Sequence, residues 1–299
     1  MIRLAVRVAA ADAEIVLAEL LELAPGGVEE VELEGGACVE YAVYGSPGEL
    51  PAIPDLHAVV GARQVQISSS EVADDWAERW KRHHRPVLVR SPRPQTVPDL
   101  WVRPPWEDAR GDAGSALEVV IDPGQAFGTG AHASTRLCLE LLLALAAGEA
   151  AGGTCVLDVG TGSGVLAIAA AKLGYDTVLG VDRDRESVSA AARNAQANGV
   201  HIEVARVDLR TESLPGLAAM AGQRQRALLL ANLLRPLLLD LAGSLPVAPA
   251  HLLAGGLLAG EVDEIVGVYG ERWGMRERER RQSGDWAAVW LQAGGREEE

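Results

Sequence analysis

Residues 156–182 read VLDVGTGSGVLAIAAAKLGYDTVLGVD and decide the fold of the chain. The first apolar run ends in three glycines at alternate positions, Gly160, Gly162 and Gly164. A stretch rich in Ala and Leu follows over residues 165–173, and a second apolar run then ends in Asp182. Two continuous apolar runs that flank a helical stretch predict a βαβ unit, whose parallel strands are buried on both faces.

The turn after the first strand has the features of a nucleoside site. Glycines there let the backbone approach a ligand closely, and Asp182 is placed to accept hydrogen bonds from ribose hydroxyls. The spacing is G-x-G-x-G, because Val165 stands where a dinucleotide site has its third glycine. Asp158 adds a negative charge that repels pyrophosphate but suits an ammonium and a sulfonium. A degenerate dinucleotide site and a merely solvated Asp182 remain alternatives.

Composition limits the class of protein. The 299 residues are 48% hydrophobic and 4% aromatic, which predicts two domains with Leu-, Val- and Ala-rich cores. The three cysteines show no C-x-x-C spacing, so neither a metal site nor a disulfide framework is expected. Acidic residues interrupt any apolar N-terminal core, which argues against a signal peptide. We expect the protein to be cytoplasmic and monomeric.

Charge is unevenly distributed along the chain. Residues 1–75 hold 14 acidic and three basic residues, whereas residues 79–106 hold seven basic residues and one acidic residue. Each run can be a solvated face. The acidic N-terminal part nevertheless suits a basic protein partner and argues against binding a phosphate backbone by itself.

The pattern of the first 70 residues predicts a small α+β domain. Its predicted elements are strands over 2–8, 28–33, 37–43 and 63–67 and helices over 13–23 and 55–60. The order β-α-β-β-α-β is that of a ferredoxin-like domain, which we assign to residues 1–70. Residues 71–112 form a Trp- and Pro-rich linker with a predicted helix over 74–83, and residues 113–299 form the second domain.

Residues 119–136, VVIDPGQAFGTGAHASTR, are predicted to cover a ligand. The segment is rich in turn-forming residues and holds the only phenylalanine of the chain, Phe127. A helix is predicted over residues 136–145, with Ser134 or Thr135 as its N-cap. These two residues can cap the helix and also bind a ligand.

The rest of the chain continues the parallel sheet. Strands are predicted over 202–207, 227–231 and 251–259, helices over 186–198, 233–245 and 262–269, and an antiparallel hairpin over 271–279 and 286–292. Because ligands bind at the carboxyl ends of parallel strands, Asp182, Asp208 and Asn232 are all expected at the rim of the site. The fold class is α/β, with a Rossmann-like, mostly parallel sheet.

With these pieces in order, the chain resembles the bacterial ribosomal protein L11 methyltransferase (PrmA) family of class I S-adenosylmethionine-dependent enzymes. The stretches that carry the resemblance are WAERWKRHHRP (76–86), RPPWE (103–107), DPGQAFGTGAHASTRLCLELL (122–142), VLDVGTGSGVLAIAAAKLG (156–174), GVDRD (180–184), ARNAQANGV (192–200) and ANLL (231–234). The resemblance extends over about residues 76–290. In residues 1–75 only the order of elements agrees.

The resemblance implies S-adenosylmethionine as cofactor, with contacts at Thr135, Gly160, Asp182 and Asn232, and Phe127 as a shield. Gly162 joins the cofactor-binding set from the glycine-rich turn, and Asp208 joins it from the strand-end argument. Asn232 is the expected catalytic residue, since its amide can orient an attacking amine. The implied acceptors are lysine ε-amines and/or the N-terminal α-amine of ribosomal protein L11, with no direct nucleic-acid binding beyond possible contact with the ribosome. No dedicated base stands out, and His132 is one alternative.

Two other functions stay open at this point. A methyltransferase of the same fold could act on a different protein lysine or on a small molecule. A non-catalytic module could keep affinity for the cofactor alone, although the complete set Gly160, Asp182 and Asn232 argues against it.

Overall fold

A computed structural model describes residues 2–23, 28–33, 36–45, 56–60, 63–71, 85–108, 116–122, 132–148, 151–212, 214 and 226–294. The chain divides into two compact units, Met1–His84 and Arg85–Glu299. The second unit begins inside the stretch assigned to a linker. The domain boundaries 1–70, 71–112 and 113–299 therefore remain a prediction. The predicted helix over residues 74–83 lies outside the described residues. No helix in the described ranges has the length and apolar character needed to cross a membrane.

The first unit is an antiparallel sheet with one helix in the described residues. Its elements are β1 (Ile2–Ala9), α1 (Ala13–Leu23), β2 (Glu29–Leu33), β3 (Cys38–Gly45), β4 (Leu56–Val60) and β5 (Arg63–Glu71). The strand order is β2-β3-β1-β5-β4. Helix α1 buries Ala13, Val16 and Leu17. On β3, the buried Glu40 pairs with Arg3 and Arg7 of β1. The predicted small α+β domain is confirmed as an antiparallel sheet domain.

The prediction of a second helix over residues 55–60 was wrong. The backbone of β4 pairs antiparallel with β5, from Leu56 opposite Ile67 to Val60 opposite Arg63. A six-residue segment is too short to hold a helix by itself, and it ends in two β-branched valines that favour an extended backbone. The order of β2, β3, β1 and β5 is still that of a ferredoxin-like sheet, and β4 extends it by one strand.

The second unit contains a seven-stranded sheet in the order β11-β10-β9-β12-β13-β15-β14. Its strands are β9 (Thr154–Val159), β10 (Thr177–Asp182), β11 (Glu203–Arg206), β12 (Arg226–Asn232), β13 (His251–Leu258), β14 (Met275–Ser283) and β15 (Trp286–Ala293). Five strands run parallel and the β14–β15 hairpin is antiparallel. The Rossmann-like fold class predicted from the sequence is confirmed.

Helices and a small sheet surround the seven strands. They are α2 (Ala133–Gly148), α3 (Val165–Lys172), α4 (Arg185–Ala197), α5 (Arg235–Ser244), α6 (Val262–Trp273) and the sheet of β6 (Val87–Val89), β7 (Leu100–Arg103) and β8 (Leu117–Val120). Every residue of β9 is buried, as an apolar central strand requires. The hairpin begins four residues later than predicted because α6 continues to Trp273 and ends at Gly274, whose φ is +65°.

Candidate functional site

The candidate site lies where the strand order of the parallel sheet reverses. Strand β9 lies between β10 and β12. From β10 the sheet continues to β11 on one side, and from β12 it continues to β13 on the other side. A crevice forms at such a switch point, outside the carboxyl ends of the strands. The ends of these strands carry the predicted residues Gly160, Asp182 and Asn232. The structure therefore brings these three residues to one edge of the sheet.

The glycine-rich turn has the backbone that its sequence predicted. Gly160, Gly162 and Gly164 have φ values of +71°, +53° and +84°, which glycine adopts at least cost. The N–H groups of Gly160 and Thr161 both donate to the carbonyl of Val181, at 2.8 and 3.0 Å. Since these N–H groups already have acceptors in the next strand, the turn is not arranged as a pyrophosphate cradle.

Two glycines make room for Leu233, which follows the last residue of β12. A Cβ added at Gly160 would overlap Cδ2 of Leu233, and one added at Gly256 would lie 2.6 Å from the Leu233 carbonyl oxygen. The Leu233 N–H donates to Gly255 at 3.1 Å. Leu233 is thus held between the turn at β9 and the strand β13. Sequence reasoning missed this role of Leu233, because nothing in residues 231–234 indicates that two distant glycines pack against one leucine.

Asp182 connects the end of β10 to the glycine-rich turn. Its Oδ2 accepts the N–H of Gly162 at 3.0 Å, and its Oδ1 accepts the N–H of Asp184 at 2.9 Å. Burial raises the pKa of the Asp182 carboxyl, while these two backbone donors act in the opposite direction. Each carboxylate oxygen can accept a further hydrogen bond. Asp182 can therefore accept hydrogen bonds from two neighbouring hydroxyl groups.

Asp158 lies under the turn and is almost completely buried. Thr161 Oγ1 donates to its Oδ2 at 2.7 Å, and the Ala167 N–H donates to the same oxygen at 3.2 Å. Its Oδ1 is buried and has no hydrogen-bond partner among the described residues. Burial raises the pKa of Asp158 to about 7, and the charge of Asp182 acts in the same direction. Burial thus favours the neutral form of this carboxyl, and a cationic group bound nearby would favour its charged form.

Asn232 and Thr135 meet across the crevice. Nδ2 of Asn232 donates to Oγ1 of Thr135 at 3.2 Å, and Thr135 is fully buried in the first turn of α2. Oδ1 of Asn232 is buried without a hydrogen-bond partner in the part of the chain that the structure describes. The Nδ2 of Asn232 is thus held by Thr135, and its Oδ1 can accept a hydrogen bond from a bound group.

The start of α2 corrects the predicted cap. The helix begins at Ala133 rather than at residue 136, so Ser134 and Thr135 lie inside its first turn. The N-cap is His132, whose Nδ1 accepts the N–H of Ser134 at 3.3 Å and lies 2.8 Å from the Ser134 hydroxyl. A ring nitrogen therefore does what a Ser or Thr oxygen usually does. The sequence favoured the commoner capping residues, and this misplaced the cap.

His132 is also packed against the C-terminal hairpin. Its ring lies edge-on to that of Trp286, with 4.8 Å between centroids. Burial lowers the pKa of His132 to about 4, so the imidazole is neutral at pH 7. These contacts give His132 a structural role at the helix start.

Two predicted residues remain, Asp208 and Phe127. Asp208 follows β11, and its Oδ1 accepts the N–H of Arg210 at 3.0 Å, which forms a local turn. Phe127 lies outside the described residues. Among the residues described, no group of three or more His, Cys, Asp or Glu side chains has the geometry of a metal site.

The family model of ribosomal protein L11 methyltransferase (PrmA) matches residues 49–293. A ribosomal protein L11 methyltransferase from Geobacter metallireducens is 36% identical over 225 residues, which cover 74% of this chain and 67% of that protein. The protein of the same name from Methylobacillus flagellatus is 30% identical over 289 residues, covering 88% of this chain and 90% of that protein.

A solved structure shows the same likeness. The crystal structure of ribosomal protein L11 methylase from Lactobacillus delbrueckii subsp. bulgaricus superposes with a TM-score of 0.52 at 30% sequence identity. The superposition covers 66% of this chain and 95% of that one.

Proposed function

Because this chain belongs to the ribosomal protein L11 methyltransferase (PrmA) family, we propose that it methylates lysine ε-amines or the N-terminal α-amine of ribosomal protein L11. The family predicted from residues 76–290 is confirmed, and with it a methyltransferase that uses S-adenosylmethionine. The amine specificity and the residue roles that follow are our proposal.

The residues at the carboxyl edge fit S-adenosylmethionine. This cofactor supplies an electrophilic methyl group on a positively charged sulfur. Asp182 accepts hydrogen bonds from the ribose hydroxyls, and Gly160 and Gly162 leave the space that a side chain would fill. The cationic sulfonium of a bound cofactor would favour the charged form of Asp158, whose pKa burial raises to about 7. Thr135, at the start of α2, faces the methionine end.

One observation carries the catalytic assignment: Asn232 has a buried Oδ1 with no partner among the described residues, while its Nδ2 is fixed to Thr135. A buried carbonyl without a partner costs free energy, which a bound donor can recover. An amine N–H of the substrate is such a donor. By accepting it, Asn232 turns the nitrogen lone pair toward the methyl group, and this orientation lowers the entropic part of the barrier.

The substrate amine must lose a proton before it attacks. A lysine amine has a reference pKa of about 10.4, and a partly buried site lowers it by desolvating the charged form. His132 is neutral and buried, and its Nδ1 serves the helix cap, so we do not assign it the role of base. We propose that the amine gives up its proton to solvent as it enters the site, and that Asn232 accepts one of the N–H groups that remain.

The acidic first part of the chain suits a basic protein partner. Residues 1–75 carry a net charge of −11, from 14 acidic and three basic residues. Opposite charges accelerate encounter and help to select the partner. We propose that this unit recognises ribosomal protein L11, and that the enzyme acts as a monomer in the cytoplasm.

The test is transfer of tritiated methyl from S-adenosylmethionine to purified, unmodified ribosomal protein L11, followed by peptide mapping. A matched sample of the substrate has its amines blocked by acetylation, which converts them to amides that have no lone pair available for attack. We expect label on lysine or N-terminal peptides of the unmodified substrate alone. Equal label on the blocked substrate would contradict amine methylation. Label only on another component of a cell extract would support a different substrate.

A further inference from the structure

Asn194 of α4 and Asn198, the C-cap of that helix, hydrogen-bond to the backbone of β8 and the residues after it, as a neighbouring strand would. Asn198 Oδ1 accepts the N–H of Val120 at 2.8 Å, and its Nδ2 donates to the Val120 carbonyl at 2.6 Å. Asn194, one turn earlier, accepts the N–H of Asp122 at 3.0 Å and donates to the Asp122 carbonyl at 3.2 Å. Each amide thus satisfies both backbone groups of one residue, at alternate positions of an extended segment.

Asn194 makes one contact that Asn198 does not. Its Nδ2 also donates to the carbonyl of Ser163 at 2.9 Å, inside the glycine-rich turn. Asn194 is 3% exposed and Ser163 is fully buried. One side chain therefore joins the end of β8 to the turn that follows β9. Gly164 permits this approach, because a Cβ there would lie 3.0 Å from Ala191 of α4.

We propose that Asn194 is a positioning residue for the cofactor: its amide holds the Ser163 carbonyl, and so fixes the glycine-rich turn in its binding conformation. This inference rests on the proposed function, since it assigns the turn to the same cofactor. Asn198 bonds to β8 and to the Asn194 carbonyl at the end of the helix, and none of these bonds reaches the turn. The two asparagines are chemically identical and four residues apart on one helix, so they provide a matched pair.

The distinction predicts a difference in cofactor binding. Without Asn194, the Ser163 carbonyl loses this buried hydrogen bond and the turn can relax. A lost buried hydrogen bond of this kind weakens binding by about tenfold. The Asn194→Ala variant should therefore raise the Kd and KM for S-adenosylmethionine by about tenfold, with kcat at saturating cofactor changed less than about twofold. The Asn198→Ala variant should lose thermal stability, yet keep its Kd within about twofold of wild type.

The experiment measures cofactor binding by calorimetry and thermal unfolding for the wild type and both variants. Equal changes in Kd for the two variants, or no change in either, would overturn the inference and leave both asparagines as structural residues. If the wild-type protein itself binds no S-adenosylmethionine, the proposed function fails instead, because the inference concerns only the difference between the variants.

A measurement on the wild-type protein covers the case in which Asn194→Ala does not fold. The side-chain amide signals of the asparagines can be followed by NMR, with Asn198 assigned from its own variant. Adding S-adenosylhomocysteine should shift the Asn194 signal and leave that of Asn198 in place. Matching shifts of both signals would contradict a special connection between Asn194 and the turn.

Discussion

Asn232 and Thr135 are 97 residues apart in the chain and form a hydrogen bond of 3.2 Å, in which Asn232 Nδ2 donates to Thr135 Oγ1. One residue ends a central strand and the other lies in the first turn of α2. The bond fixes the direction of the Asn232 amide, so that its Oδ1 is presented without a partner among the described residues. Orientation of the proposed catalytic amide thus depends on a residue that we place beside the cofactor.

Removing the anchor should therefore impair catalysis. The Thr135→Val variant keeps the shape of the side chain and leaves the Asn232 amide without its acceptor. We expect kcat to fall about ten- to a hundredfold, since the amide loses its preferred direction. Thr96→Val is a control, because the Thr96 hydroxyl bonds only locally to Arg93 on the surface. Initial methyl-transfer rates with saturating cofactor report the effect, and equal rates for both variants would contradict it.

Asp182 and Asp184 should separate cofactor binding from helix stability. Replacing Asp182 by Ala should weaken cofactor binding by about 1–3 kcal/mol, because buried acceptors for the ribose are lost. Asp184 caps α4 through the N–H groups of Glu186 and Ser187. Its alanine variant should lose about 0.5–2 kcal/mol of stability and keep its affinity.

The two aspartate variants are compared by calorimetric titration and urea unfolding. Wild-type affinity in Asp182→Ala would remove the ribose assignment.

The packing around Leu233 predicts a selective rescue. Gly160→Ala would push against the Leu233 side chain, whereas Gly256→Ala would push against its backbone. Both glycines have positive φ, so each alanine also carries backbone strain of about 1 kcal/mol. A second change, Leu233→Ala, should recover part of the stability lost in Gly160→Ala and none of that lost in Gly256→Ala.

Melting temperatures of the two single glycine variants and their double variants test this rescue. Equal rescue of both glycine variants would show that the leucine is not the obstacle.

Asp158 should make stability depend on pH. Its pKa is about 7 in the folded protein against an ordinary value of 3.8, so the folded state binds more protons than the unfolded state between these values. The contribution of this group therefore falls as pH rises from about 4 to 7, with a slope of at most about 1.4 kcal/mol per pH unit.

Asp158→Asn removes this titration. The free energy of unfolding of the variant minus that of the wild type should be larger at pH 8 than at pH 5, as measured by urea unfolding of both proteins at each pH. A difference between variant and wild type that stays constant with pH would contradict the burial of a titrating carboxyl.

The centre of the fold and most of the site could be predicted from local patterns. Residues 156–182 contain two apolar strands, a helix and a glycine-rich turn, and each strand end places its next polar residue at the same edge. That rule alone located Asp182 and Asn232. The positive φ angles of the turn followed from its glycines.

What the sequence did not reveal depends on contacts between distant residues. The cap of α2 is an imidazole whose ring also packs on Trp286, and no local preference favours it over Ser134. The strand β4 exists because β5 supplies a partner for its backbone. The bond from Asn194 to Ser163 requires the helix and the turn to be packed together. Two asparagines four residues apart in an Ala-rich helix were the only local signal.

The most direct test of the central claim is the intact mass of ribosomal protein L11 after incubation with S-adenosylmethionine that carries a deuterated methyl group. Wild-type enzyme and the Asn232→Ala variant are compared after calorimetry has shown that both bind the cofactor. We predict mass increments of whole trideuterated methyl groups with the wild type, and a rate lower by about a hundredfold or more with the variant. Equal increments with both would contradict the role of Asn232, and no increment with either would contradict the proposed substrate.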